Sequence, residues 1–140
     1  MAAIIDPIKV EGLREFQRAL RALDAGLPKA LRLAHNEAAG IVVDWARPRV
    51  PSRSGKARRS VRATSSQREG KVTGGGARVP HYPWLDFGGR VGRAKSVHRP
   101  FLPGGRFIYP GYTRNRPEIQ QRLLAALLQV AEQAGAQVDP

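Results

Sequence analysis

The chain has 140 residues, of which 41% are hydrophobic and 6% aromatic, and it has no cysteine. It is therefore long enough for a single domain, 1–140, and it excludes disulfides, thiolate chemistry and cysteine-ligated zinc. The formal net charge is +13, and residues 45–116 hold 17 of the 24 Lys and Arg but only two acids. This concentration of positive charge predicts an acidic partner, which could be nucleic acid, a protein surface or a membrane face. The alternative is a general preference for Arg at the surface, which would give the same charge without such a partner.

The first ten residues predict at most a short edge strand, because their weak alternation contains Pro7. They carry Asp6 and Lys9, and they lack the basic flank and long apolar core of a signal peptide. No window of the sequence approaches the roughly 20 apolar residues of a membrane span. We therefore expect a protein of the cytoplasm with no membrane partner.

Two amphipathic helices are predicted next, over 12–25 and over 28–45, because apolar residues recur in both at helical spacing. Gly26 ends the first helix, and Pro28 suits the first turn of the second. Residues 51–56 form a turn, and Ser60–Ser66 and Lys71–Thr73 are predicted to pair as a hairpin.

The aromatic segment 82–87 is predicted as a short strand, and 88–110 as a long loop rich in Gly and Pro. Pro117 is expected to begin a last helix that runs to about Gly135. The fold class is therefore α+β, with a small antiparallel sheet covered by two N-terminal helices and one C-terminal helix.

Catalytic groups are scarce in this sequence. His35, His81 and His98 lack metal-ligand spacing and are expected at the surface or in loops. The basic middle has only Glu69 and Asp86 as acids, and Asp86 is expected to pair with an arginine. The glycine clusters complete no phosphate-binding motif and are expected to be turns. These observations predict a protein that is not an enzyme and has no cofactor or metal; a nuclease using the two acids is a distant alternative.

Nucleic-acid binding is the main alternative function from the residues alone, because cations and stacking aromatics share the basic middle. The aromatic side chains concerned are Tyr82, Trp84, Phe87, Phe101, Phe107, Tyr109 and Tyr112. Aromatic and arginine residues are also favoured in protein interfaces, so the pattern suits a protein partner as well.

Three segments together resemble the tail-completion, or head-tail joining, proteins of long-tailed phages. They are VPSRSGKARRSVR at 50–62, HYPWLDFGG at 81–89 and RPFLP at 99–103. Arg53-Ser54-Gly55 stands where that family more often has Asp-Thr-Gly, and Asp86 stands where it usually has Glu. With two helices before the first segment and one after the third, the resemblance covers nearly the whole chain.

The resemblance implies a structural virion protein at the head-tail junction, which is made in the host cytoplasm and forms a ring, expected to have six subunits. Its partners would be copies of itself, the head-tail connector or head-closure protein, and the tail terminator or tail tube protein. Contact with packaged DNA would be non-specific. The related roles of tail terminator and head-closure protein stay open.

The site residues that the resemblance implies fall into two groups. The motif residues expected to serve interaction are Val50, Pro51, Ser54, Gly55, Arg58, Arg59, Ser60, Tyr82, Trp84, Asp86, Phe87, Gly88, Arg99, Pro100 and Phe101. The cations expected to contact DNA or an acidic neighbour are Arg47, Arg49, Arg53, Lys56 and Arg62.

Overall fold

The computed structural model describes residues 27–133, together with Gly12, Arg14, Glu15 and Arg18. The predicted strand over 2–10 lies outside the described residues, as does most of the predicted helix over 12–25. The elements in chain order are α1 (Leu27–Ala46), α2 (Lys56–Ser60), β1 (Arg62–Ala63), β2 (Val72–Thr73), α3 (Tyr82–Phe87), β3 (Gly89–Val91), β4 (Val97–Arg99) and α4 (Ile108–Gln133). The predicted α+β class is confirmed.

Helices α1 and α4 pack against each other and form the larger of two apolar clusters. Both present side chains at helical spacing, and the alanines among them allow close approach of the backbones. The buried members are Leu31, Ala34, Ala38 and Val42 of α1 and Ile119, Leu123, Ala126, Leu127, Val130 and Ala131 of α4. The end of α1 meets the beginning of α4 at Gly111, where a Cβ would lie 3.1 Å from the Trp45 ring.

A second apolar cluster lies beside the C-terminal end of α1. It joins α1 to the segments that carry the family resemblance, and its buried members are Val43, Ala46, Val50, Ala57, Val61, Val79, Tyr82, Leu85 and Phe107. Because Val42 and Val43 are adjacent on one helix, α1 contributes to both clusters and connects them.

The predicted small sheet consists of two separate antiparallel ribbons of two strands each. Strand β1 pairs with β2 in the predicted hairpin, although the paired strands are shorter than predicted. Asn36 of α1 accepts a hydrogen bond from the Ser65 backbone N at 2.9 Å, which fixes this hairpin to the helix. Strands β3 and β4 pair Val91 with Val97 and Arg90 with His98, inside the segment predicted as an irregular loop.

The prediction of a strand over 82–87 is wrong, because these residues form helix α3. Its buried residues Tyr82, Leu85 and Asp86 follow helical spacing, and Pro83 lies in the first turn, where the missing N–H costs nothing. The aromatic content favoured a strand by propensity, but packing against the second cluster decides the conformation.

Helix α4 begins nine residues before the predicted start at Pro117, which lies inside the helix. Proline cannot donate to the carbonyl four residues earlier, so its place in a helix interior is unusual. Side-chain donors support the preceding turns: Thr113 Oγ1 donates to the Tyr109 carbonyl at 2.9 Å and Asn115 Nδ2 to the Gly111 carbonyl at 2.7 Å. Across the described ranges, no helix is both long and apolar enough to cross a membrane.

His35 was expected at the surface or in a loop, but it is buried in α1, whereas His81 and His98 are exposed as predicted. Burial lowers the pKa of the His35 imidazole from its ordinary value of 6.5, and it outweighs the opposing effects of the Glu69 charge and a hydrogen bond with the Gln67 backbone. The folded chain therefore binds this proton less readily than the unfolded chain does.

We expect the free energy of unfolding to fall as the pH drops from about 7.5 to about 5.5, because the unfolded state takes up a proton on His35 first. Urea unfolding of His35→Gln should show a smaller difference between the two pH values than the unsubstituted chain. His98→Gln, at an exposed position, serves as the control and should keep the full difference. An equal pH dependence in His35→Gln and the unsubstituted chain would contradict this assignment.

Candidate interaction site

The segment 50–62 is folded by two arginines that donate to backbone carbonyls. Arg58 Nε donates to the Val50 carbonyl at 2.6 Å, and Arg47 Nε donates to the Val61 carbonyl at 2.7 Å. Val50 and Val61 are themselves buried in the second cluster. Both arginines therefore stabilise the loop between α1 and β1, and this structural role does not depend on a binding partner.

Two glycines, Gly55 and Gly75, determine the backbone path in and beside this segment. Gly55, with φ of 80°, begins the short helix α2, a conformation that favours glycine. Ser60 Oγ donates to the Ala57 carbonyl at 2.5 Å and accepts from the Gly75 backbone N at 3.0 Å. Gly75 in turn lies so close to Tyr82 that a Cβ would be 2.9 Å from the tyrosine Cβ. The first motif thus contacts the second through a glycine turn.

Asp86 lies at the centre of the second motif and is only 1% exposed. Its Oδ2 accepts a hydrogen bond from the Tyr82 hydroxyl at 2.9 Å. Its Oδ1 accepts from the backbone N of Arg106 at 2.6 Å and of Phe107 at 3.1 Å. These two amides immediately precede α4, so the carboxylate caps that helix and meets the positive end of its dipole.

The expected salt bridge between Asp86 and an arginine is not the interaction that the structure contains. The Arg106 guanidinium donates to the Asp86 backbone carbonyl at 2.9 Å and to the Pro100 carbonyl, leaving the carboxylate to the tyrosine and the amides. In the described part of the chain the one ion pair within 4.0 Å joins Arg122 and Glu37 on the two long helices.

The third motif is held against α3 by backbone carbonyls. Arg99 Nε donates to the Leu85 carbonyl at 3.1 Å, and the Leu102 backbone N donates to the Phe87 carbonyl at 2.8 Å. Gly88 passes so close to the Pro100 carbonyl that a Cβ would overlap it. The three motif segments are therefore neighbours in one structural unit, although they are separated in sequence.

The pKa shifts within this unit have simple causes. Burial raises the pKa of the Tyr82 hydroxyl, and the negative charge of Asp86 and the hydrogen bond to it raise it further. Burial lowers the pKa of the Arg99 guanidinium, and the neighbouring charge of Arg106 adds to that effect. Tyr82 therefore serves Asp86 as a neutral donor, and Arg99 lies in a positive electrostatic environment.

The cations predicted to contact DNA or an acidic neighbour are used in different ways. Arg47 supports Val61, and the Arg49 guanidinium lies 4.0 Å from the centre of the Trp45 ring while it donates to the Trp45 carbonyl. The predicted cations Arg53, Lys56 and Arg62 lie exposed. Arg59 and Ser54 of the motif are also exposed, and the arginine donates to the Ser54 carbonyl at 3.5 Å.

An apolar groove of about 500 Å³ lies between α3 and the β3–β4 ribbon. Trp84, Phe87, Val91, Phe101 and Tyr109 are among its lining residues. The sequence prediction included three of these five side chains as motif residues.

The sequence prediction missed Val91 and Val97 as site residues, because it treated 88–110 as an irregular loop. A signal was present: Gly-Arg-Val before Gly92 and Val-His-Arg after it mirror each other, which is the pattern of a short hairpin. Leu102 and Arg106 were missed as well, and no local pattern marks them.

Catalytic groups do not converge at this site. Glu69 lies at the turn of the first hairpin and affects His35, whereas Asp86 is enclosed beneath the start of α4. In the described residues no group of three or more His, Asp or Glu side chains is placed to hold a metal ion. Comparisons of the chain with protein-family models, curated proteins and solved structures find no match.

Removing the Asp86 carboxylate should destabilise the fold strongly, because the Tyr82 hydroxyl and two backbone amides lose their acceptor. We expect Asp86→Ala to lose about 3 kcal/mol or more of unfolding free energy, and Asp86→Asn to lose less because one oxygen remains for the two amides. Urea unfolding measures both. Glu69→Ala, at an exposed acid, should change stability by less than about 0.5 kcal/mol. An Asp86→Ala variant as stable as the unsubstituted chain would disprove the capping role.

Gly88 and Gly89 offer a matched pair, since both have positive φ, of 87° and 117°, and differ in the space around them. A Cβ at Gly88 would meet the Pro100 carbonyl, whereas one at Gly89 would meet nothing within 4 Å. We therefore expect Gly88→Ala to lower the melting temperature clearly more than Gly89→Ala. Equal losses in thermal denaturation would show that backbone strain alone acts at Gly88.

Proposed function

We propose that the protein is a structural virion protein of a long-tailed phage, located at the head-tail junction, that acts by assembly and not by catalysis. One observation carries the proposal: the segments 50–62, 81–89 and 99–103, which bear the family resemblance, lie together in the fold. Hydrogen bonds join 81–89 to 99–103, and 50–62 meets 81–89 in the second apolar cluster and through Gly75. Each motif alone is weak evidence for the family. Three motifs that contact one another in the fold support the resemblance more strongly than three that lie apart would.

The way the motif residues are used also supports an assembly role. Asp86 and Tyr82 are enclosed and hydrogen-bonded to each other, so they serve the frame and offer no accessible acid or base. The same frame holds an exposed ribbon on which Val97 is 48% exposed, and it holds Phe101 at 55%. Exposed apolar side chains on a well-braced support are typical of a protein interface.

The proposed assembly is a ring of copies of this chain, with six as the number that the resemblance implies. It would join the head-tail connector or head-closure protein to the tail terminator or tail tube protein. Tail completion is the role we favour, and terminator and head closure share its geometry closely enough to be alternatives within the same proposal. Exposed cations such as Arg53 and Arg62 suit non-specific contact with packaged DNA.

Location tests the proposal directly. Immunogold electron microscopy of purified tailed particles from the source culture, with antibody against this chain, should label the head-tail junction. Pre-immune serum provides the control for non-specific label. Intact particles without label, together with antigen that stays in the soluble cell fraction, would defeat the proposal.

A second candidate function is nucleic-acid binding, favoured by the exposed cations Arg53, Lys56, Arg59 and Arg62 around α2. A phosphate binder that makes about six contacts should lose roughly a thousandfold in affinity between about 50 and 200 mM salt. A neck protein should bind DNA weakly by comparison.

Fluorescence anisotropy with a labelled duplex distinguishes the two functions. If the chain is a phosphate binder, the combined variant Arg53→Ala, Lys56→Ala and Arg62→Ala should lose most of the affinity and much of the salt dependence. Lys29→Ala with Arg32→Ala, at exposed cations of α1, is the control. Weak binding that all three proteins share would exclude this second function.

A further inference from the structure

The apolar groove beside α3 is held open by contacts within the chain. Trp84 Nε1 donates to the Gly89 carbonyl at 3.0 Å, which connects one wall to the start of β3. The Phe87 and Tyr109 rings lie 5.8 Å apart at an interplanar angle of 59°, a favourable tilted arrangement. Most of the ordering cost is therefore met when the chain folds, and a ligand would meet a preformed surface.

Exposed apolar side chains extend the groove along the β3–β4 ribbon. Val91 and Val97 are paired across the ribbon on one face, while Arg90 and His98 are paired at the next position. Phe101 and Leu102 follow directly and are 55% and 44% exposed. In the described residues each strand of this ribbon pairs only with the other, so each also has an outer backbone edge without a strand partner.

The segment that builds the groove is strongly positive. Residues 70–117 contain nine Lys and Arg but one acid, Asp86, whose carboxylate is enclosed and hydrogen-bonded. The Arg99 guanidinium lies 5.8 Å from the Trp84 ring, and its lowered pKa reflects burial and the like charge of Arg106. An incoming carboxylate would relieve this repulsion at the groove wall.

We infer that the groove binds an extended acidic segment of another protein, in which an apolar side chain enters between α3 and the ribbon while flanking carboxylates meet the surrounding cations. Charge complementarity selects this occupant. A second copy of this strongly basic chain would bring like charge to the same surface, and nucleic acid would supply charge and stacking bases but no peptide backbone to pair with the open edges of the ribbon. The unpaired edges of the ribbon allow the segment to add backbone hydrogen bonds.

This inference rests on the proposed function, because it names the surface by which a neck component would hold a neighbour. Its test uses the purified chain alone and does not depend on where the protein lies in a particle. If no peptide binds but the antibody labels the head-tail junction, only the inference about the groove is overturned. If peptides bind but the antibody does not label the junction, only the proposed location is overturned.

Selection from a displayed library of random peptides, with the purified chain immobilised, supplies the probe. We expect enriched peptides to carry Asp or Glu on both sides of an apolar residue. By fluorescence anisotropy, Phe101→Ser should lower the affinity for the leading peptide at least about tenfold, because the groove wall loses an exposed apolar side chain. Arg90→Glu should weaken it as well, since the charge around the groove is reduced.

Matched controls separate the groove from general effects. Leu124→Ser removes an apolar side chain that is 42% exposed on α4, and Arg32→Glu reverses an exposed charge on α1. Both should leave peptide affinity unchanged, and circular dichroism should show that all four variants keep the native spectrum.

Four outcomes would overturn the inference. First, selection on the unsubstituted chain enriches no peptides beyond those enriched on Phe101→Ser. Second, the enriched peptides carry no acidic residues, or, third, the leading peptide binds Phe101→Ser and the unsubstituted chain with equal affinity. Fourth, binding of single-stranded oligothymidine depends on Phe101 more strongly than binding of any peptide does. Self-association that Phe101→Ser abolishes in sedimentation velocity would assign the groove to a second copy instead.

Discussion

The start of α4 depends on the carboxylate of Asp86, and much of the structure depends on that start. The carboxylate is buried, so its charge is tolerated only because a tyrosine hydroxyl and two backbone amides donate to it. One side chain thereby connects α3 to the first turn of a helix twenty residues away. Because α4 then packs along α1, the larger apolar cluster is linked to the same contact.

Arginine supplies much of the remaining bracing. The two β ribbons are short, so many loop carbonyls have no ladder partner, and buried carbonyls must find donors elsewhere. Arg47 and Arg58 donate to the carbonyls of Val61 and Val50, and Arg99 and Arg106 donate to carbonyls in the last turn of α3, a task that the several N–H groups of a guanidinium suit well. Part of the positive charge is thus structural. The remaining cations leave residues 45–116 strongly positive because this range has only two acids.

The arrangement places structural and exposed residues of the same motifs side by side. Asp86, Gly88 and Arg99 hold the frame, while Phe101 and the ribbon valines remain at the surface. Asp86, the one buried acid among the described residues, is used as a helix cap. Beside it lies a preformed apolar surface within a positively charged segment, and our inference of an acidic protein neighbour rests on these two features.

The sequence by itself determined the features that local patterns encode. Helical spacing predicted α1 within a residue or two of Leu27–Ala46, and the first hairpin was predicted from its strands and turn, although the paired strands are shorter than predicted. The resemblance of three segments to one family stays a prediction, and the contacts of these segments with one another were not predictable from spacing.

Only the tertiary structure decided the conformation of 82–87, the start of α4 and the burial of His35. Each depends on a partner far away in sequence: the second apolar cluster for α3, and the Asp86 carboxylate for the amides that precede Ile108. Aromatic propensity favoured a strand, and Pro117 was a plausible first helical residue, yet packing and a distant cap are stronger than either local preference. Local periodicity can be detected in a sequence, whereas a hydrogen bond between remote residues exists only once the chain has folded.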